Sequence, residues 1–342
     1  MSPKKGTNMK LSIIVPVHDG EPFIDRCLNA LLDQGVVNYE IVCVENGSAD
    51  ASLRMLQQYE SQHPEIIKVF SLTESGVSLA RNYGIEHSTG EVLAFCDVDD
   101  YVIPKAYGYL LDTYWHDDID LVKYNSVTLD EHMLNKWKET NDVRGDLLFE
   151  GNAVNFIKQC GCCPTFVWCH LYSRSFIERH KIRYESIIIG EDLTFNLKVY
   201  SARANMLAVS SNIYRYTVSS QQVTRIRQKD KMRRISMGYI KVFEMLVRCK
   251  TQIPEIEFAM NRQIEVEMLT CFSRVFSADF DMKDYRFVWK KFQELGIWKL
   301  KKTLRYSRCI DIMMSCYPLY KLMSVMFRNV FVPYILPKMS RN

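Results

Sequence analysis

The 342-residue chain has no run of 18 apolar residues free of charge, so the sequence offers no clear membrane-spanning helix. It has no low-complexity tract and no evident internal repeat, which excludes a repeat array. Its net charge is only +4, too small a surplus to argue for a nucleic-acid binder. No Gly-rich, Lys-bearing phosphate loop follows the first apolar run, which argues against a nucleotidyltransferase. The opening MSPKKGTNMK is polar, so no signal peptide is expected. The eleven cysteines form no paired framework. Cys27, Cys43 and Cys96 sit in apolar surroundings, as free buried thiols of a reducing compartment do. Cys160, Cys162, Cys163 and Cys169-His170 lie close in sequence, but "CGCC" lacks the CxxC spacing of structural zinc sites.

What remains is ordinary globular material, 47% hydrophobic and 25% charged. The length suits one large domain with an appendage, or two domains. Apolar runs alternate with helical periods over the first hundred residues. "LSIIVPVHD" reads as a strand, "EPFIDRCLNALLDQ" as a helix and "YEIVCVENGS" as a strand. "ADASLRMLQQYESQHP" reads as a helix and "IIKVFSL" as a strand. "GVSLARNYGIEHSTG" is a helix closed by Gly90, and "EVLAFCDVDD" a fourth strand. The alternation with short loops predicts a parallel α/β sheet with right-handed crossovers. Ligands of such sheets bind beyond the carboxyl ends of the strands. Three strand ends should therefore share one rim: Pro16-Val17-His18-Asp19, Glu45-Asn46-Gly47-Ser48 and Asp97-Val98-Asp99-Asp100. A helix and a strand are expected between Pro104 and Asp130, and a polar loop over 131–150. Helices are expected at 231–249, 255–278 and 284–295.

The acids after the fourth strand repel one another, and crowding them is costly unless something positive sits among them. Asp97-x-Asp99 can hold a divalent cation and a ribose. Hard oxygen donors suit Mg²⁺ or Mn²⁺ shared with substrate phosphates. A second acidic pair, Glu191-Asp192, precedes a helical pattern, where Asp192 is either functional or a plain N-cap.

Five blocks together resemble a family 2 glycosyltransferase of the GT-A fold, akin to those of bacterial cell-surface polysaccharides. They are "LSIIVPVHDGEPFIDRCLNALLDQ", "YEIVCVENGSADAS", "GVSLARNYGI", "GEVLAFCDVDDYVIP" and "GEDLTFNLKVY". They span roughly residues 11–200 in the family's order. The resemblance implies a Rossmann-like GT-A domain over 1–225; residues 226–342 lie outside it and read from their own pattern as a helical, basic extension. The resemblance also implies an inverting, metal-dependent transferase taking a nucleotide-sugar, commonly a UDP-sugar, with Mn²⁺ or Mg²⁺. Pro16, Val17 and His18 fall where the family meets nucleobase and ribose, and Glu21 matches a frequent acidic position. Asn46, Gly76, Arg81, Asp97 and Val98 fall on the donor side. Asp97 would contact ribose or metal, Asp99 would ligate the metal, and Asp100 would cap the loop. Asp192 matches the base that deprotonates the acceptor, with Glu191 beside it.

Several positions depart from the family or admit two readings. Glu45-Asn46 stands where the family usually has two aspartates, and His18-Asp19 where Tyr-Asn is common. Arg81 either reaches phosphate or forms a helix-surface salt bridge, the latter favoured. Trp168 either stacks on an acceptor sugar or fills the core. Tyr214 to Arg225 resembles a loop that closes over the donor.

From Lys301 to Asn342 eight Lys/Arg face one acid, Asp311, among aromatic and aliphatic residues. That mixture suits a segment lying in a membrane interface, or a helix packed on the protein itself. The expected enzyme is cytoplasmic, peripheral on the inner face of the cell membrane, and acts on a saccharide or lipid-linked acceptor. The competing expectation is a non-catalytic sugar-nucleotide-binding or scaffold protein on the same fold, suggested by Glu45-Asn46.

Overall fold

The computed structural model of the chain describes residues 9–130, 142–218, 229–278, 280–297, 317–318 and 320–321. The chain divides into two compact units. The first comprises Met1–Phe156, Thr165–Ser186 and Lys198–Ser220. The second comprises Ile157–Pro164, Ile187–Leu197 and Gln221–Asn342. The division interleaves instead of falling at a single cut.

The first unit begins with β1 (Leu11–Val17), α1 (Ile24–Leu32), β2 (Tyr39–Asn46) and α2 (Ser52–Gln62). It continues through β3 (Ile67–Leu72), α3 (Val77–His87) and β4 (Val92–Phe95). These four strands are parallel, in the order β3-β2-β1-β4. Every residue of β1 is buried, as expected for a parallel strand covered on both faces. Val17 pairs with Glu45, and Ile14 with Phe95, so the three strand ends open on one rim. α3 lies unusually close to β1. A Cβ on Gly84 would sit 2.4 Å from Ile14 Cγ2, so only glycine admits this approach.

Next come β5 (Tyr101–Val102), α4 (Ala106–Tyr114), β6 (Leu121–Asp130), β7 (Leu147–Asn152) and α5 (Ala153–Cys160). β8 (His170–Ser173), α6 (Arg174–Arg179), α7 (Glu191–Ser201) and β9 (Asn205–Val218) follow. The sheet continues beyond β4 as β8-β6-β9-β5, with β7 also on β9, giving nine strands. β8 runs antiparallel to both β4 and β6, which makes the sheet mixed beyond its parallel half.

Two expectations are corrected here. Residues 147–150 are not loop but the start of β7, paired with β9. Leu147 and Leu148 are exposed, so this strand lacks the alternation that marks a buried face. Tyr214 to Val218 are not loop either, but the end of β9, paired residue by residue with β6. Residues 131–141 of the first expected loop and 219–225 of the second lie outside the described residues.

In the second unit, α8 (Lys229–Gln252), α9 (Glu257–Ala278) and α10 (Met282–Glu294) fall where the helical periods predict them. A short 3₁₀ turn at Pro254–Ile256 separates the first two. Asp281 caps α10 by accepting from the Asp284 N–H at 2.9 Å. Among the described residues no helix is long and apolar enough to cross a membrane. Of the basic segment 301–342, only 317, 318, 320 and 321 are described, so its expected interfacial role lies outside the described residues.

Candidate active site

The ends of β1 and β2 are laced together by side chains meeting backbone. The Asp19 N–H donates to Ser48 Oγ at 3.0 Å, and the Ala49 N–H to Asp19 Oδ1 at 2.8 Å. Glu21 accepts from the Ala51 N–H at 2.9 Å, and its own N–H donates to Asp50 at 3.0 Å. Glu21 thus braces the entry to α2. Asp19 has a φ of 49°, a left-handed conformation that Asp and Asn tolerate better than most residues. Pro16 and Val17 are buried, whereas His18 is exposed, with Nδ1 3.0 Å from the Asn46 carbonyl.

Asn46 uses both ends of its amide. Nδ2 donates to the Val17 carbonyl at 3.3 Å, and Oδ1 accepts from the Gly76 N–H at 2.8 Å. Gly76, at the head of α3, is thereby tied to the β2 end. Glu45 accepts from the Ser48 N–H at 2.5 Å and the Ser71 hydroxyl at 2.7 Å. Burial pushes its carboxyl up, but these bonds outweigh burial and hold it below its ordinary value.

The turn after β4 answers the question of a positive partner. Arg81 donates to Asp97 Oδ1 at 2.7 Å, with the guanidinium side chain 3% exposed and the carboxylate 27%. The expected helix-surface pair is corrected: Arg81 lies on the buried stripe of α3 with Ser78, Ala80, Gly84 and Ile85. Its guanidinium also lies over the Tyr184 ring, 5.4 Å from the centroid. The Asp99 carbonyl accepts from Arg26 of α1. Val98 is buried against the β1 end, and Cβ on Gly20 would meet its methyls at 3.1 Å.

Asp100 is fully buried. It accepts from the Tyr214 hydroxyl at 2.8 Å and the Thr217 N–H at 2.7 Å. Burial, then the charges of Asp99 and Asp97, push its carboxyl well above the carboxylate range, against those two hydrogen bonds. The Asp97 N–H donates to the same Tyr214 hydroxyl at 3.1 Å. Asp100 therefore does more than cap its loop, since it fastens the turn to β9.

Asp97 and Asp99 offer hard oxygen donors at the rim. Among the described residues no group of three or more His, Cys, Asp or Glu gathers as a metal site. A pair of carboxylates, with the other positions left to water and phosphate, is the donor set that Mg²⁺ commonly accepts. Asp97, with Oδ1 already held by Arg81, and Asp99 are the residues that would hold such a cation.

Trp168 is 3% exposed and stacks on Tyr214 at 4.3 Å, so its ring is in the core. His170 is buried, with Nδ1 3.0 Å from the Phe166 carbonyl and Nε2 2.9 Å from the Tyr200 hydroxyl. Glu191 and Asp192 belong to the second unit, in the first turn of α7. Asp192 is not the N-cap. The Thr194 N–H bonds to the Gly190 carbonyl, which makes Gly190 the cap. Gly190 has a φ of 74°, and a Cβ there would sit 2.6 Å from Val242 of α8, so the "GED" glycine is required on two counts.

The residues brought together in the first unit are thus 16–21, 46, 76, 81 and 97–99. Sequence reasoning missed Arg26, Tyr184, Tyr214 and Thr217. The signal for Tyr214 was present, since Tyr214 and Tyr216 follow the two-residue period of a strand.

The model of the family described as Glycosyl transferase family 2 matches residues 12–180. The uncharacterized glycosyltransferase YibD of Escherichia coli (strain K12) is 25% identical over 241 residues, covering 69% of this chain and 70% of that protein. The poly(ribitol-phosphate) beta-N-acetylglucosaminyltransferase TarS of Staphylococcus aureus (strain MW2) is 24% identical over 328 residues. That match covers 89% of this chain but only 54% of TarS, so the chain spans about half of that relative. The crystal structure of S. aureus TarS 1–349 aligns with a TM-score of 0.55 at 20% identity, covering 94% of this chain and 91% of that one. The same fragment solved with UDP-GlcNAc aligns at 0.52 and 19%, covering 94% and 92%. The mannosyltransferase PcManGT from Pyrobaculum calidifontis, solved with GDP-Man and Mn²⁺, aligns at 0.55 and 13%, covering 97% and 89%. At these identities the likeness is one of fold.

Proposed function

We propose, from the match of residues 12–180 to the glycosyl transferase family 2 model and from the GT-A-like fold, that the chain moves a sugar from a nucleotide-sugar to an acceptor hydroxyl. The donor is a UDP-sugar, and the acceptor is a saccharide or lipid-linked precursor of a cell-surface polysaccharide. The observation that carries this reading is the Asp97–Asp99 pair, set at the carboxyl rim of a parallel sheet and braced by buried Arg81. TarS, a poly(ribitol-phosphate) glycosyltransferase solved with UDP-GlcNAc, supports the choice of nucleotide.

In this reading Pro16, Val17, His18 and Asn46 hold the nucleobase and ribose, with Glu21 bracing their loop. Gly76, Arg81 and Val98 shape the diphosphate side. Asp97 and Asp99 hold Mg²⁺ or Mn²⁺, which when bound offsets the charge of the departing diphosphate. Asp192 takes the proton from the acceptor hydroxyl. The first turn of α7 favours a negative charge there, as a base requires. The hydroxyl oxygen attacks the anomeric carbon from the face opposite the diphosphate. One bond forms as the other breaks, and the configuration inverts. Glu191 lines the acceptor side. The basic segment 301–342 holds the enzyme on the inner face of the cell membrane.

The test is a panel of UDP-, GDP- and dTDP-sugars offered to the full chain, with and without EDTA. One donor should be bound and slowly hydrolysed without acceptor. Asp99→Ala or EDTA should abolish this. Asp192→Asn should keep donor affinity and lower transfer ~10²–10⁴-fold. Full activity in EDTA sinks the metal assignment. Binding without any turnover favours the scaffold, and no binding at all rejects the transferase.

A further inference from the structure

The acidic turn is joined to a stack of aromatic rings that reaches solvent. Tyr214, whose hydroxyl meets Asp97 and Asp100, stacks on Trp168 with planes 13° apart. Trp168 stacks on Tyr216 at 5.5 Å and 8°, and on Phe166 at 4.7 Å and 15°. Phe166 also lies 6.4 Å from Tyr216 at 23°. Trp168 is 3% exposed, but Phe166 is 51% exposed and Tyr216 half-buried. The neighbouring core pairs Phe95–Tyr172 and Phe95–Tyr184 instead meet edge to face, at 70° and 85°. Four rings within 23° of parallel, with the outermost open to water, form a layered surface.

Its position says what it would meet. In the sheet order, β9 lies on the far side of β4 from β1 and β2. On the transferase reading, the nucleotide occupies the β1–β2 side. The ring stack therefore flanks the acidic turn on the side where an acceptor enters. Its outer rings are uncharged, and a pyranose has an apolar C–H face edged by hydroxyls, which suits such a surface.

We propose that Phe166 and Tyr216 form a stacking platform for a pyranose ring of the acceptor, with Trp168 as its backing. The platform selects saccharide acceptors over flexible polyols, which have no ring face to offer. The assignment rests on the transferase reading, and it moves the exposed contact from Trp168 to its outer neighbour.

Saturation-transfer NMR on the full chain with UDP, probed with the methyl pyranosides of glucose, galactose, mannose and N-acetylglucosamine, tests it. At least one should receive saturation chiefly on the C–H protons of one ring face. Phe166→Ala should weaken its affinity about five- to tenfold, the scale of one aromatic contact. Phe166→Tyr should restore it, and UDP affinity by calorimetry should stay unchanged in both variants. A purely structural Phe166 would change melting temperature without touching the glycoside signal. No signal from any glycoside with the unaltered chain overturns the proposal, as does an unchanged signal in Phe166→Ala. Loss of UDP affinity in Phe166→Ala would assign the rings to the nucleobase and overturn it too. If the chain bound no nucleotide yet bound a glycoside through Phe166, the transferase reading would fall and the platform would stand.

Discussion

The loops after β1 and β2 leave Asp19 and Glu21 in water, whereas the turn after β4 ties Asp97 to a buried guanidinium and buries Asp100. Asp19 and Glu21 are exposed, and each accepts one backbone N–H that water would otherwise serve. Asp97 meets a buried guanidinium, and Asp100 has no exposure at all. The first region is held by several weak and replaceable bonds. The second is held by a few bonds that nothing can replace once lost, because an unpartnered polar group in low dielectric bears its full desolvation cost. Within that second region the two solutions differ again. Asp97 is balanced by charge, and Asp100 by neutral donors.

Breaking the buried region should cost far more than breaking the wet one. Arg81→Ala should have the largest effect, about 3 kcal/mol, near the lower bound for a disrupted buried pair because Asp97 is partly exposed. Urea denaturation would read it, and Arg81→Lys should recover only part of the loss, since lysine lacks the planar fork. Asp100→Ala comes next, at about 2 kcal/mol, because it leaves the Thr217 N–H and the Tyr214 hydroxyl without their acceptor. Asp100 also marks itself in pH. Its raised carboxyl binds a proton in the folded state where the unfolded chain has released one. The contribution to stability is therefore present at low pH and lost as pH rises through the raised value. Denaturation midpoints between pH 4 and 8 should show that decline, and Asp100→Asn should flatten it.

In the wet region Asp19→Ala should cost about 1 kcal/mol, chiefly for the left-handed backbone. Asp19→Gly should cost less, as thermal melts of the pair would show. Glu21→Gln should stay within about 0.5 kcal/mol by the same measurement, as surface changes usually do. A Glu21→Gln cost matching that of Arg81→Ala would erase the contrast between the two regions.

The parallel half of the sheet was legible because buried strands are continuous apolar runs, and their ends named the rim. The acidic turn was legible for the same reason, since Asp97 and Asp99 follow Phe95 without a gap. Arg81 was misjudged as a surface residue. A guanidinium is usually solvated, yet Arg81 shares the helical stripe of Ala80, Gly84 and Ile85, and that spacing already pointed inward. The end of β9 was taken for a loop from its resemblance to a loop that closes over the donor, although Ile213, Tyr214 and Tyr216 are good strand residues. Trp168 could be named but not oriented, because only three-dimensional packing separates a ring in a stack from the ring at its open end.

Gly84 contributes no functional group, yet it governs the depth at which Arg81 is delivered. The two residues are almost one turn apart on α3, and the missing Cβ lets that helix settle against Ile14. Any larger residue would lift the helix from the sheet and carry the guanidinium away from Asp97. For an engineer adjusting the Arg81–Asp97 pair, position 84 is therefore a depth adjustment. Substitutions there retune the acidic turn at a distance, while leaving every polar side chain of the rim chemically intact.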